Sequence, residues 1–530
     1  MSSTSHSELE FYETVSASDG CFIPPPASDS RHHHLLHSNE LPSPFDIPIV
    51  ESYISQHDLH LERIQADLEK IRATLRPLER VQDLLLSTRR RHQAIVSPLR
   101  RLPAEVLSEI FHHSLPDTND LVLRRSFNLL DSPWVVTHVS RRWRAVAMET
   151  RALWSRTMLY YSRHVEASKA FPMPMLRAQV ERAQNLKIYF HASAQACTIH
   201  QAAALEFLVS HSNKWVEANL ELSAQLVPML VKVGGRVPLL RKLWLQWDES
   251  GNEGAPVDMA RCLMEAPSLS NVGVLNRFMG TPGFLPLHQL THYQLDAPLE
   301  VHHAILSYAS RLIEAHIVVV HVEDDESLIP STPIVVHTLE RMCITNPTLL
   351  SFVNLPALKE LTVSFELEPE SGFLSRAVSD LVVRSSCFIR RLCFDGHVNE
   401  TRTIEVLACL PSVTELGFII DDDGALALNK FLHALAANEP EIAPQLRHVF
   451  IGCDKESFFD YKLFFQLIRA RWRNGLGMLE SALVAVHHGP PPALADVEEL
   501  KRGGFGLAVV QQEEAGQLMD RWIYHQWLWI

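Results

Sequence analysis

The sequence predicts an α + α/β chain: a heptad helix, then a small three-helix unit, then an irregular repeat-like α/β solenoid. Three observations predict it. Apolar residues recur at alternating steps of three and four within residues 54–90. Two short amphipathic stretches flank a polar insertion within residues 97–156. Beyond residue 170, one apolar pattern returns five times with a proline at the same place.

Composition sets the frame for these elements. Of 530 residues, 46% are hydrophobic and 21% charged, which is globular usage at a length that suits several domains. Lys plus Arg is 48 and Asp plus Glu is 62, a net charge of −14. An acidic chain with dispersed basic residues gains little from counterion release, so nucleic acid is not an expected partner. Eight cysteines include no Cys-x-x-Cys pair, and Cys387 and Cys393, the nearest two, are six apart. That spacing fits a reduced compartment, with cysteines as small core residues. The start, MSSTSHSELEFYETVS, has no basic segment followed by an apolar run. Ile317–Val320 in HIVVVH is far too short for a bilayer. These features predict a soluble intracellular protein, cytoplasmic, nuclear or both, without a membrane partner.

Residues 1–50 are rich in Ser, His and Pro and show no period, so a disordered N-terminal region is expected. His32, His33 and His34 have no spaced partner ligands and read as a solvated tract. Residues 51–92 form the expected heptad helix. Leu61, Ile64, Leu68, Ile71, Leu75 and Leu78 make an a/d seam, with Glu62, Arg63, Glu69, Lys70 and Arg72 off it. The seam predicts either a coiled coil that makes a homodimer through residues 54–90 or one amphipathic helix folded on its own chain. Pro77 removes a backbone donor within it.

Next comes SPLRRLPAEVLSEIFHHSLP, residues 97–116. Prolines near a first turn lose nothing, since those N–H groups lack intrahelical partners. Val106, Leu107, Ile110 and Phe111 then follow at helical spacing. After the insertion at 117–130, SPWVVTHVSRRWRAVAMETRALW places Val135, Val136, Val139, Trp143, Val146 and Ala147 on another apolar face. Leu153-Trp154 closes the segment.

This ordered set resembles the F-box. The family pattern is Leu-Pro-x-Glu-Ile/Val-Leu-x-x-Ile-Phe, then Val-Cys-x-x-Trp-Arg, then Leu-Trp. It is matched by Leu102, Pro103, Glu105, Val106, Leu107, Ile110 and Phe111, by Val139, Trp143 and Arg144, and by Leu153 and Trp154. Ser140 stands where the family usually has Cys. The heptad helix before SPxRRLPxE is similar to the expanded F-box family of mushroom-forming fungi. The resemblance implies a non-catalytic adaptor that docks on a Skp-type adaptor and, through it, on the cullin scaffold of an SCF ubiquitin ligase. The residues it implies at that contact are Leu102, Pro103, Val106, Leu107, Ile110, Phe111, Val136, Val139, Trp143, Leu153 and Trp154. Three helices in so few residues bury only part of their own apolar surface, which leaves some for a partner.

The repeats are expected over 170–490. VPLLRKLWLQW, APSLSNVGVLN, LPALKELTVSF, LPSVTELGFII and APQLRHVFIGC share the form apolar-Pro-x-apolar-x-x-apolar-x-apolar. Their anchors are Leu240, Leu243 and Leu245; Leu269, Val272 and Val274; Leu358, Leu361 and Val363; Val413, Leu416 and Phe418; Leu446, Val449 and Ile451. Weaker copies start at Trp215, Leu290, Leu312, Leu339 and Ile389. Three anchors alone match about one window in ten by chance in a chain this apolar, so the proline carries the signal. It is expected to end a helix and hand the chain to a strand. The segments resemble degenerate leucine-rich repeats, which implies stacked strand–helix units with an exposed strand face that binds an unknown protein substrate. The usual Asn or Cys after the third anchor is replaced by Asp248, Arg277, Glu366, Asp421 and Asp454. Residues 491–530 are expected to cap the last repeat with Trp522, Trp527 and Trp529.

Catalytic patterns are missing from the sequence. It has no phosphate loop, no Gly-x-Ser-x-Gly and no His-Glu-x-x-His. His302-His303 and His487-His488 are adjacent pairs, which point apart on a helix or strand. No cofactor, no metal and no catalytic residue is therefore expected.

Overall fold

The computed structural model describes residues 27, 30–115, 129–161, 173–193, 198–247, 265–275, 285–320, 333–365, 372–396, 399–420, 424–436, 442–453, 460–473, 479–487 and 494–524. It divides into two units, residues 1–103 and 104–530.

In the first unit, Ser30 caps a short helix, Arg31–Leu36, by accepting a hydrogen bond from the His33 N–H. This local cap gives helical structure to part of the segment expected to be disordered. The heptad helix is longer than its sequence pattern, Asp46–Ile95. Pro77 lies inside it without ending it. On the heptad, Pro77 falls two residues past Leu75, away from the seam. No residue of this helix is buried.

The second unit opens with helices Ala104–His113, Val136–Val139 and Arg141–Glu149 and a 3-10 turn, Arg151–Trp154. A fourteen-stranded parallel sheet follows, in which each strand pairs with its sequence neighbour. We number the strands β1 (Arg156–Tyr160), β2 (Leu186–His191), β3 (Trp215–Leu222), β4 (Lys242–Trp247), β5 (Asn271–Leu275), β6 (His292–Ala297) and β7 (Glu314–Val319). The row continues with β8 (Arg341–Ile344), β9 (Glu360–Phe365), β10 (Arg391–Gly396), β11 (Glu415–Ile420), β12 (His448–Cys453), β13 (Ser481–Val486) and β14 (Gly506–Gln511). Sequential order with parallel pairing is the topology of an α/β solenoid. The sheet begins before residue 170 and gains β14 from residues expected only as a cap.

All five proline-marked repeats and all five weaker copies lead into strands, and their anchors are buried. The proline itself does a different job from the one its position suggests. The N–H of Leu240, Leu269, Leu358, Val413 and Leu446 donates to the carbonyl of Val237, Ala266, Leu355, Leu410 and Ala443 respectively. Each proline therefore sits second in a four-residue turn, where its fixed φ pre-sets the bend. The residue before it is buried, and the residue two after it is the first anchor.

Three strands escaped the pattern because an anchor is small or polar: Thr157 in β1, Asn185 before β2 and Gly504 before β14; β13, with Leu479, Ala482 and Val484, has the form of the copies with Ala218 and Ala315. Connections are uneven. Some are helices, such as Phe373–Ser385 and Glu400–Ala408, and others are 3-10 turns, such as Val227–Val233 and Pro347–Phe352. Asn399 caps Glu400–Ala408, its side chain accepting from the Arg402 N–H. Asp248, Arg277, Glu366, Asp421 and Asp454 lie outside the described residues. Among the described residues, no helix is long and apolar enough to cross a membrane.

Candidate functional site

The helix Ala104–His113 carries two apolar stripes. Leu107 and Phe111, one turn apart, are fully buried. Val106 and Ile110, also one turn apart, are 42% and 41% exposed. Val139 is 57% exposed and Trp143 is half-buried, its ring 4.9 Å from that of Phe111. Val106, Ile110 and Val139 are thus exposed, while the inward stripe packs the segment's own core, with Trp143 against Phe111.

That core is closed by Val136, Leu153 and Trp154. The Trp154 indole donates to the Ala147 carbonyl at 2.8 Å and meets Trp134 edge-on at 5.1 Å. The Arg182 guanidinium lies 4.5 Å above the Trp154 ring. Arg182 ends the first helix between strands β1 and β2, so Trp154 joins the helical segment to the solenoid. Leu107, Phe111, Val136, Leu153 and Trp154 are accordingly internal packing residues in this structure rather than surface ones. The reason is geometric: residues four apart share a helix face, so Val106–Ile110 and Leu107–Phe111 cannot both point outward in one direction. Leu102, half-buried, and Pro103, exposed, belong to the first unit. Ser140 caps helix Arg141–Glu149, its hydroxyl accepting from the Trp143 N–H.

The strand face is the second candidate surface. Near the strand starts, charged residues of neighbouring strands face one another in the sheet register, and Arg156 of β1 faces Lys187 with like charge. Lys187 faces Glu217, which faces Lys242; Glu314, Arg341, Glu360, Arg391 and Glu415 follow in the same way. Signs alternate along both runs. Lys187 meets Glu217 at 2.9 Å and Arg341 meets Glu314 at 2.8 Å. Strands lie about 4.8 Å apart, so alternation turns a row of repulsions into a row of attractions.

The row has one buried node. Glu314 is 1% exposed and accepts hydrogen bonds from His316 Nε2 and Arg341 Nε, both at 2.8 Å. Burial alone would raise the Glu314 carboxyl, but the His316 hydrogen bond and the charge of Arg341 outweigh it and hold it below the usual range. Burial pushes His292 down to about 4, so at neutral pH it stands 3.8 Å from Glu314 as an uncharged ring. Cys343 is the register neighbour of His316. Burial raises its thiol far above the usual range, so it is not a thiolate nucleophile. With both carboxylate oxygens of Glu314 bonded, this cluster reads as an electrostatic clamp between strands. Sequence reasoning missed it, because Arg341 is 27 residues from Glu314 and only the register unites them, while His316 shares the strand face of Glu314 two residues on.

Elsewhere His302, on helix Leu299–Tyr308, is buried with Nε2 3.1 Å from the Val318 carbonyl, and burial pushes it down to about 4. Its folded pKa lies below the ordinary 6.5, so it stabilises the fold in full above pH 6.5. That stability is lost as pH falls towards 4. Between pH 7 and pH 5 the loss from His302 is about 2 kcal/mol. Urea unfolding at the two pH values measures it, and His302→Phe is expected to shrink the difference by that amount.

The far end of the strand face is covered. The C-terminal helix, Gln512–Tyr524, lies on β10–β13, where Ala515, Met519 and Ile523 join Cys393, Ile419, Phe450 and Ala485 in one buried cluster. Trp522 stacks on Phe450 with ring centroids 4.3 Å apart. The expectation of a cap on the last repeat thus changes: Trp522 reaches strands well before the end of the sheet. Trp527 and Trp529 lie outside the described residues. Among the described residues, no cluster of His, Cys, Asp and Glu has the arrangement of a metal site. No family model matches this chain, and no curated protein matches it.

Proposed function

We propose that this chain is a non-enzymatic adaptor: an F-box at residues 97–156 docks on a Skp-type adaptor of a cullin-based ubiquitin ligase, and the solenoid holds a protein substrate. The observation that carries the reading is the outward stripe of Val106 and Ile110, exposed beside a helix face that already has its own core. An apolar stripe left in water at fixed helical spacing is a cost unless a partner covers it. It occurs inside the ordered set Leu102-Pro103-x-Glu105, Ile110-Phe111, Val139-x-x-x-Trp143-Arg144 and Leu153-Trp154. The adaptor performs no bond chemistry; it raises the local concentration of a substrate lysine near a charged enzyme. Pull-down of a purified Skp-type adaptor tests it. Leu102→Ala with Pro103→Ala is expected to lower capture at least tenfold, and unchanged capture counts against the F-box.

A second reading, a scaffold that self-associates without a ligase, is favoured by the long helix. Its seam residues Leu61, Ile64, Leu68, Ile71, Leu75 and Leu78 are all more than 40% exposed. Within Asp46–Ile95 the same three-four steps extend to Ile47, Val50 and Ile54 on one side and Leu85 on the other. Light scattering distinguishes the states: Leu68→Asn with Ile71→Asn is expected to reduce an assembly to the 60.1 kDa chain. A wild-type chain that already runs as a monomer ends this reading.

A further inference from the structure

The exposed seam of helix Asp46–Ile95 has two rows that differ in kind. With Leu61 taken as the first heptad position, the first-position row holds Ile47, Ile54, Leu61, Leu68 and Leu75. The fourth-position row holds Val50, Ile64, Ile71, Leu78 and Leu85. Over the central layers, leucine therefore stands at the first position and isoleucine at the fourth. In a two-stranded coil the Cα–Cβ bond at the fourth position points straight at the facing helix, so a branch at Cβ has no low-energy rotamer there. In a four-stranded coil the two positions exchange geometries, and leucine at the first with isoleucine at the fourth packs best. The width of the apolar face agrees. Val81 and Leu86 flank the seam at the seventh and fifth positions, beside Leu78 and Leu85, and all four are exposed. Such flanking positions stay in water when two helices pair and become partly buried when four meet.

Charge and the polar layers set the direction. In parallel chains a seventh-position residue faces the fifth-position residue of the next heptad in its neighbour. Asp67 thereby faces Arg72 of the adjacent chain at every interface of the bundle. Both are exposed in the single chain, where Asp67 meets Lys70 at 2.7 Å and Arg72 meets Glu69 at 2.9 Å. At the helix start Asp46 faces Glu51 with like charge, but Arg31 of its own chain stands 3.7 Å away. In-register parallel chains also stack His57 on His57 and Gln82 on Gln82, whereas a slip of one heptad sets His57 against Ile64. Run antiparallel with His57 layered on Gln82, the seam sets Asp58 against Glu79 and forms no opposite pair.

We propose that residues 46–95 form a parallel, in-register, four-stranded coiled coil, so that the chain works as a tetramer. The inference rests on the self-association reading of this helix and adds the number of chains and their direction. Four copies of the solenoid in one assembly favour a substrate that repeats its binding site, since each engaged copy raises the local concentration of the others.

Sedimentation equilibrium on the full-length chain, over a concentration series, is expected to converge on four times 60.1 kDa. Leu61→Ile, Leu68→Ile and Leu75→Ile combined with Ile64→Leu and Ile71→Leu exchange the two rows at equal side-chain volume. This variant is expected to converge on twice 60.1 kDa, because a β-branched first position with leucine at the fourth favours two strands. A wild-type mass of two or three chains overturns the proposal and leaves self-association standing; a monomer ends both. An exchanged variant that stays at four chains overturns it as well. Direction has its own readout. Asp67→Arg is expected to raise the concentration of half-dissociation at least tenfold, and adding Arg72→Asp to recover most of that loss. A double variant as weak as the single one overturns the parallel arrangement.

Discussion

Replacing Val106 and Ile110 together by aspartate is expected to reduce capture of a Skp-type adaptor more than 100-fold and to leave the thermal midpoint within about 2 °C of wild type. Both side chains are over two-fifths exposed, so charge there faces water in the free chain and costs the fold little. In a complex, the same two carboxylates would be buried without partners. A 100-fold loss is about 2.7 kcal/mol, within the reach of a single interface hot spot. The neighbouring pair behaves in the opposite way. Leu107→Ala or Phe111→Ala removes packing from a fully buried core and is expected to cost about 2–5 kcal/mol of stability. Binding by calorimetry and melting by circular dichroism separate the two faces. If the double aspartate variant still binds, the outward stripe is not the contact, and the adaptor reading loses its main support.

Glu314→Ala is expected to destabilise the solenoid by about 3–5 kcal/mol, because it leaves the Arg341 charge and the His316 donor facing an empty buried site. The contrast is Glu221→Ala. Glu221 pairs with His191 at 2.8 Å, but its side chain is 49% exposed and water replaces the pair. A loss under about 1 kcal/mol is expected there. Urea unfolding of both variants at pH 7 measures the difference. Equal small losses would mean that β6, β7 and β8 do not depend on the clamp. Lowering the pH acts on the same carboxylate. Its folded pKa is depressed, so its contribution is present above the ordinary carboxylate pKa and disappears as pH falls through the folded value.

Much of the solenoid was legible in the sequence because anchors three and five residues after a buried one report directly on strand period. A leucine at 358 and its followers at 361 and 363 have few other uses in a chain that stacks strands. The prolines added confidence in position but misled about cause, since the helix-end and turn-second-position roles of proline share the same fixed φ. Strands built on Thr157, Asn185 and Gly504 fall outside the three-anchor form, because a polar residue or a glycine holds one anchor place. In the helical segment the motif named the apolar residues as one set. It could not divide Val106 and Ile110 from Leu107 and Phe111, because adjacent residues differ by only 100° around a helix axis.

By itself the sequence determined the heptad seam, the ordered helical motif and the strand rows, since each depends on spacing within a few residues of the chain. Tertiary structure alone decided three things: which apolar stripe faces water, the alternating charge row ending in the buried Glu314, and the seat for the C-terminal helix. Each depends on register. Glu314 and Arg341, or Gly417 and Trp522, become neighbours only when strands stack at a fixed offset and the chain folds back over them. No local propensity encodes that distance, and a glycine at 417 acquires its meaning only from the indole placed above it.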